Sequence, residues 1–112
     1  LFDLKKLKYL NLSGNKITRL DCCIDEFENL HWLDLSNNKL RSLPPRIGRL
    51  ENLTELNLAN NKFRDLPDEI CNLKNLKVLD LTGNDDLKEQ IRKIRNCLPN
   101  TSVLFSESEE GS

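Results

Sequence analysis

Apolar residues recur along the chain with a fixed period of 23 residues. Aligning the sequence on itself at this shift superposes eight columns, of which seven are apolar and one is asparagine. The most regular columns are Leu7, Leu30, Leu53 and Leu76; Leu10, Leu33, Leu56 and Leu79; and Leu12, Leu35, Leu58 and Leu81. A fixed period of this length predicts a repeat architecture, in which each unit buries its apolar side by stacking on its neighbours.

Each repeat contains a short alternation of apolar and polar residues. In one of them Leu33 and Leu35 flank Asp34. Because side chains of a strand alternate between its two faces, the pattern predicts a strand with both leucines inward and Asp34 outward. Stacked repeats then predict a short parallel sheet. The apolar residues that follow the strand fill the interior, and Pro44 and Pro67 bend the return segment.

The asparagine column is the most diagnostic one. It consists of Asn15, Asn38, Asn61 and Asn84. An amide that faces inward must find hydrogen-bond partners, so we expect a stacked ladder bonded to the turn backbone, with a structural role and no ligand contact. Removal of the Asn84 amide should cost less than removal of the Asn38 amide if the following segment leaves its turn more hydrated.

Two segments carry a family resemblance. LHWLDLSNNKLRSLPPRIGRLEN and LTELNLANNKFRDLPDEICNLKN resemble the leucine-rich repeat pattern LxxLxLxxNxLxxLPxxIxxLxx, and the match extends from residue 1 to about residue 84. The LP-containing form of 23 residues is similar to the intracellular-type repeats of Ras-pathway regulators, cell-polarity scaffolds and many bacterial repeat proteins. The resemblance implies binding of another macromolecule and no catalysis.

The repeat register breaks after Asn84. Asp86 occupies a position where the repeat has an apolar residue, and the next apolar residues follow at helical spacing, as Leu87, Ile91, Ile94 and Leu98. This spacing predicts an amphipathic helix, with Asp86 as its N-cap and Pro99 beyond its end. A terminal unit with one apolar face is what a stack of repeats needs to cover its last member.

The chain therefore divides into three parts. We expect leucine-rich repeats over residues 1–85, a C-terminal cap over 86–105 with a short last strand at 103–105, and a disordered acidic tail over 106–112. The predicted fold is α/β: a leucine-rich-repeat solenoid with a short parallel sheet on its concave face and a C-terminal capping helix.

Charge and hydropathy exclude several partner classes. The net charge is -1, from 17 basic and 18 acidic residues. A basic column of Lys16, Lys39 and Lys62 is diluted by neighbouring carboxylates and lacks interleaved aromatics, so we expect a solvated edge and no nucleic-acid partner. No apolar run approaches the roughly 20 residues that span a bilayer, so we expect no membrane insertion.

The four cysteines show neither zinc spacing nor a clustered disulfide framework. We expect Cys71 and Cys97 to be small buried thiols in a reducing, cytoplasmic compartment, with oxidised pairing as the alternative. Extracellular members of the family usually carry cysteine-rich flanking caps, which we do not find. Three glycosylation acceptor patterns, at Asn11, Asn52 and Asn100, would matter only in a secreted parent protein.

Catalytic motifs are not found. His31 is the only histidine, and its position before a strand needs no catalytic explanation. Asp34 and Asp80 lie two repeats apart, at about the spacing of an inverting carboxylate pair, but an open sheet offers no pocket that would raise a pKa. We therefore expect no enzyme, no cofactor, no metal and no small-molecule substrate.

The outward positions of the strands form the candidate binding face. The predicted partner-binding residues are Tyr9, Asn11, His31, Trp32, Asp34, Glu55, Asn57, Val78 and Asp80. Small residues beside them, such as Gly14 and Gly83, would let a partner approach closely. Alternation places Tyr9 and Trp32 side by side, either as a cross-strand packing pair or as the centre of an interface.

These features favour a protein–protein interaction module that binds a partner protein on the concave sheet. Two alternatives remain open. One is a regulatory subunit or modulator of a signalling enzyme such as a small GTPase or a phosphatase. The other is an extracellular or bacterial recognition fragment, in which the cysteines or the glycosylation patterns would be meaningful.

Overall fold

The structure, a computed structural model, describes residues 4–20 and 24–106. Each 23-residue repeat contributes one three-residue strand, and a further strand follows the last repeat. The strands are β1 (Tyr9–Asn11), β2 (Trp32–Asp34), β3 (Glu55–Asn57), β4 (Val78–Asp80) and β5 (Ser102–Leu104). In β2, β3 and β4 the middle leucine is buried and its two neighbours are more exposed, as the alternation predicts.

The strands form a single parallel sheet in the order β1-β2-β3-β4-β5. Its register aligns the central residues Leu10, Leu33, Leu56, Leu79 and Val103. The predicted parallel sheet is confirmed. β5 lies one residue earlier than the expected 103–105, because Val103 occupies the leucine column and Ser102 pairs with Val78.

Short 3₁₀ segments return the chain from one strand to the next. The segments Ile24–Glu26, Pro45–Arg49 and Asp68–Asn72 lie at equivalent positions of successive repeats. A 3₁₀ helix has three residues per turn, so residues i and i+3 share one side. Ile47 and Leu50 therefore lie on one side of their segment, as do Ile70 and Leu73. All four are buried in the core between these segments and the sheet.

The asparagine ladder is present as predicted. Asn38, Asn61 and Asn84 are buried, whereas Asn15 in the first repeat is exposed. The Asn38 side chain makes five hydrogen bonds. Its Nδ2 donates to the carbonyls of Leu12, Leu35 and Ser36, and its Oδ1 accepts from the backbone N–H groups of Asn15 and Ile17. Each of the three buried amides thus joins its own turn to the preceding one, whereas the Asn15 amide donates within its own turn, to the carbonyls of Leu12 and Ser13.

The turn of Asn84 is not more hydrated than the others, so the condition for a smaller cost of removing this amide is not met. Its exposure is 1%, against 6% for Asn38, because the C-terminal segment covers this turn. Its Nδ2 donates to the carbonyls of Leu58 and Leu81, and its Oδ1 accepts from the Phe63 N–H. Burial therefore gives no reason for the Asn84 amide to contribute less to the stability of the protein than the Asn38 amide.

The C-terminal helix is present, with a different start. A 3₁₀ segment covers Asp85–Gln90 and leads into α1 (Ile91–Cys97). Asp86 lies inside the 3₁₀ segment, so its assignment as N-cap is wrong. Neither Asn84 nor Gln90 makes a side-chain cap hydrogen bond, and the Asn84 amide is already used by the ladder. The predicted apolar stripe, which consists of Leu87, Ile91, Ile94 and Leu98, is buried.

Cys71 and Cys97 form a disulfide, with an S–S distance of 2.04 Å. The expectation of two separate buried thiols is therefore wrong. The bond joins the 3₁₀ segment Asp68–Asn72 to α1, and both cysteines are half-buried. The two residues are 26 apart in sequence, and only the packing of α1 on the last repeat brings their Cα atoms to 5.4 Å.

Some expectations fall on residues outside the described ranges. Cys22, Cys23 and residues 107–112 of the expected disordered tail belong to this group. Ser106, the first residue of that tail, is described, and its carbonyl accepts a hydrogen bond of 3.2 Å from the Gly83 N–H. It therefore continues the backbone ladder of the sheet. Within 4–20 and 24–106, the structure contains no helix of the length and apolar character that a bilayer crossing requires.

Candidate functional site

The outward residues of the strands form one continuous surface, which we call the exposed sheet face. One row consists of Tyr9, Trp32, Glu55, Val78 and Ser102, and the other of Asn11, Asp34, Asn57, Asp80 and Leu104. Eight of the nine predicted partner-binding residues lie in these rows. Ser102 and Leu104 were missed, although the alternation around Val103 could have indicated them, and Leu104 is 46% exposed.

Tyr9 and Trp32 form an aromatic pair on this face. Their ring centroids are 6.1 Å apart and the rings are tilted by 52°, a separation within the range of favourable aromatic contacts. Tyr9 is 70% exposed, which makes it one of two large apolar side chains that stand out into solvent among the described residues. The pair contributes cross-strand packing and also leaves aromatic surface uncovered.

Glu55 fixes the position of the Trp32 ring. Trp32 Nε1 donates to Glu55 Oε2 at 2.6 Å, across the β2–β3 register. An indole has a single donor, and a hydrogen bond to an ionised acceptor is stronger than one between neutral groups. The ring is therefore held on the sheet by two contacts, Tyr9 on one side and the carboxylate on the other.

The Asn and Asp residues of the second row also have a structural role, which was not predicted from the sequence. Each Asn or Asp accepts a hydrogen bond from the backbone N–H two residues later: Asn11 from Ser13 at 3.0 Å, Asp34 from Ser36 at 2.9 Å, Asn57 from Ala59 at 3.0 Å and Asp80 from Thr82 at 3.0 Å. These are Asx turns. They end β1, β2, β3 and β4 after three residues, and the spacing of Asn or Asp two positions before a small residue was the available signal.

The small residues at the edge of the face also have a backbone reason. Gly14, Asn37, Asn60 and Gly83 occupy one column, and their φ angles are 70°, 57°, 57° and 84°. Only glycine and asparagine adopt this left-handed conformation readily. Side-chain size is therefore set here by the turn, and access for a partner is not needed to explain it.

His31 lies immediately before β2, beside the face. Its Nδ1 is 2.7 Å from the Asn29 carbonyl, and because a carbonyl can only accept, Nδ1 carries the proton. The His31 carbonyl accepts from Thr54 Oγ1 and from the Thr54 N–H. The imidazole and the carbonyl of His31 therefore both stabilise the residues that lead into the strands, and His31 is half-buried.

The face offers binding chemistry more readily than catalytic chemistry. In the described part of the chain, no three His, Cys, Asp or Glu side chains converge as metal ligands would. A recess of about 410 Å³ lies away from the strands, at the turn edge of the last repeats, and its lining includes Arg41, Lys62, Arg64 and Asp86. Its lining carries both basic and acidic side chains, so it indicates no preference for an anionic or a cationic ligand.

Comparison with known proteins agrees with this architecture. The family model described as "Leucine-rich repeat region" matches residues 1–100. A leucine-rich repeat protein of Leptospira interrogans has a similar solved structure, with a TM-score of 0.82 and 46% sequence identity over 87% of this chain. The chain spans 25% of the length of that protein. Among curated proteins none matches.

Proposed function

The chain belongs to the leucine-rich repeat family, and from this premise we propose that it is a protein–protein interaction module. We place the partner on the exposed sheet face, which we take to be the concave side of a solenoid arc. The observation that carries the proposal is the Tyr9–Trp32 pair. Large aromatic side chains dominate the energetics of protein interfaces, and here two of them stand together outside the core.

The pair is prepared for binding because its rotamers are already restricted. Trp32 is held by Tyr9 and by Glu55 before a partner arrives. Binding therefore avoids most of the entropy cost of ordering a mobile side chain. The Asx turns hold the second row of the face in the same way. We propose binding without turnover, with no cofactor and no small-molecule substrate.

The test begins with capture of a partner by the intact chain and its identification by mass spectrometry. Calorimetry then compares wild type with Trp32→Ala, which should weaken the complex by about 2 kcal/mol or more, the scale of an interface anchor. Arg92→Ala is the control, because Arg92 is exposed on α1, behind the sheet. Arg46 is a poorer control, since it pairs with Asp25.

Unchanged affinity for Trp32→Ala, or an equal loss for Arg92→Ala, would move the binding site off the exposed sheet face. A small GTPase or a phosphatase as the captured partner would favour the alternative of a regulatory subunit. No observation on the described residues favours that alternative by itself.

One observation favours the recognition-fragment alternative. Disulfides persist in oxidising compartments and are rare in the cytosol, so the Cys71–Cys97 bond supports an extracellular or bacterial surface location over the expected cytoplasmic one. Thiol titration of the unfolded, unreduced protein tests this. At most two of the four cysteines should react. Four reactive thiols in protein isolated from its native source would restore the cytoplasmic assignment.

A further inference from the structure

The exposed sheet face is not chemically uniform. Its two aromatic rings and two of its carboxylates meet at one corner, formed by Tyr9, Trp32, Asp34 and Glu55, which we call the aromatic–acidic corner. Trp32 pairs in register with Tyr9 on one side and with Glu55 on the other. Asp34 lies two residues further along β2, on the same face.

The sheet lattice sets the size of this corner. Neighbouring strands are about 4.8 Å apart, and residues i and i+2 of one strand are about 6.7 Å apart. A planar group of about four heavy atoms laid on the Trp32 ring therefore has both carboxylates within reach.

The oxygens of the two carboxylates are only partly used. Asp34 Oδ1 accepts from the N–H and the hydroxyl of Ser36, at 2.9 and 2.6 Å, and that turn does not involve Oδ2. Glu55 Oε2 accepts from Trp32 Nε1, and that bond does not involve Oε1. Each carboxylate is thus held in place through one oxygen, and the other oxygen is left to accept a hydrogen bond from a partner.

One lysine, Lys8, lies beside the corner, and the two carboxylates of Asp34 and Glu55 outweigh its charge. Lys8 precedes β1 and Lys77 precedes β4, whereas the positions before β2 and β3 carry His31 and Thr54. The strands β2 and β3, which supply Asp34 and Glu55, therefore have no lysine at the position directly before them. A cation is the complementary occupant.

Resting on the proposed function, we propose that the aromatic–acidic corner binds an arginine side chain of the partner protein. A guanidinium is planar, so it stacks on an indole ring and donates in the ring plane to carboxylates at its edge. Trp is the best ring for a cation, and Tyr9 extends the aromatic platform. An ammonium group would meet the same charge without the stacking geometry.

Trp32 is the only tryptophan, so its fluorescence reports binding at this corner. Hexa-arginine is the probe, and it should change the Trp32 emission saturably, with hexa-lysine binding more weakly and hexaglutamate not at all. Asp34→Asn and Glu55→Gln should each weaken hexa-arginine binding by about fivefold, the effect of one exposed charge contact.

Two variants provide matched controls. Asp80→Asn makes the same change on the same face, in a strand where Val78 replaces the aromatic ring, and Glu89→Gln removes a charge from the exposed side of the 3₁₀ segment Asp85–Gln90. Both should leave hexa-arginine binding unchanged. The Asp→Asn changes should spare the fold, because Asn11 and Asn57 make the same Asx turn in neighbouring repeats. Thermal melts check this.

The proposal is overturned by an unaltered Trp32 emission, by equal binding of hexa-lysine, or by equal losses for Asp34→Asn and Asp80→Asn, which would indicate diffuse attraction. Failure here is distinguishable from failure of the proposed function. A protein partner whose affinity depends on Trp32 but is unchanged in Asp34→Asn and Glu55→Gln would leave the interaction module intact and remove only the arginine site.

Discussion

At the scale of single residues, the asparagine ladder shows how one amide can connect two repeats. The Asn38 side chain satisfies buried and half-buried backbone groups of its own turn and of the preceding turn. Leaving such groups without a partner costs more than the hydrogen bonds gain when they are made. The column is therefore asparagine for a structural reason.

Asn38→Ala should destabilise the protein by about 1–3 kcal/mol, because several buried backbone groups lose their partner. Urea-induced unfolding followed by circular dichroism measures the change. Asn15→Ala is the matched control, since the exposed Asn15 side chain donates only to Leu12 and Ser13 and water can replace it. Equal free-energy losses for the two variants would contradict the role assigned to burial.

Asp25 makes stability depend on pH. Burial is the largest single influence on the Asp25 carboxyl and raises its pKa, but a backbone hydrogen bond and the guanidinium groups of Arg46 and Arg49 together outweigh it, so the pKa lies below the ordinary value of 3.8. The Arg46 and Arg49 Nη1 atoms are 3.5 and 3.3 Å from its oxygens. Oδ1 is buried without a hydrogen bond, so the ion pair with Arg46 is its compensation.

The sign of the effect follows from linkage. Because the folded pKa is depressed, the stabilisation is complete above the unfolded pKa and is lost as pH falls through the folded pKa. Asp25→Asn should therefore lower the free energy of unfolding near neutral pH, and the difference from wild type should narrow at a pH below the ordinary pKa of 3.8. Urea unfolding at both pH values measures it. A gap that does not change with pH would contradict the assignment, and exposed Glu26→Gln serves as the control.

At the scale of elements, the disulfide is the covalent link between the last 3₁₀ return segment and α1. It closes a loop of about 26 residues, and such a loop restricts the unfolded chain. The link acts together with β5, which pairs with β4 on the sheet side of the same repeat. The C-terminal segment is thus joined to the last repeat on two sides: by the disulfide at the return segment and by β5 at the sheet.

Replacing both cysteines, as in Cys71→Ala with Cys97→Ala, should lower the free energy of unfolding by about 3 kcal/mol. Denaturant unfolding with and without a thiol reductant measures this. Reductant should lower the stability of wild type to that of the double variant and leave the double variant unchanged. A wild-type protein indifferent to reductant would show that the bond contributes nothing to stability.

At the scale of the whole molecule, the C-terminal segment completes the core. Leu87, Ile91, Ile94 and Leu98 are each at most 5% exposed, and burial of such a side chain contributes about 1.5–3 kcal/mol. Without them the underside of the last repeat would face water. β4 would also become an open sheet edge, a template for aggregation.

Deletion of residues 86–105 should therefore cause unfolding or aggregation, whereas deletion of residues 107–112 should not. Size-exclusion chromatography and thermal melts of the two truncated chains measure the outcome. A monomeric, cooperatively melting protein without residues 86–105 would show that this segment does not act as a cap.

The sequence by itself determined the parts of this protein that follow from local periodicity. The 23-residue spacing sets the parallel strands and their register, because each strand can bury its leucines only beside its equivalents. The same alternation placed Tyr9 next to Trp32 and pointed both away from the core. The helical spacing after Asn84 gave the apolar stripe that covers the last repeat.

Tertiary structure decided what depends on distances between segments far apart in the chain. Cys71 and Cys97 become bonding partners only when α1 packs on the return segment of the last repeat, and their spacing in sequence carries no sign of it. The burial of Asn84 and the 3₁₀ segment Asp85–Gln90 that precedes α1 depend on the same packing. The hydrogen bond from Trp32 to Glu55 was also decided by the tertiary structure. Strand alternation specifies the face on which a side chain lies, but the direction of its polar atoms depends on the side chains of the adjacent strands.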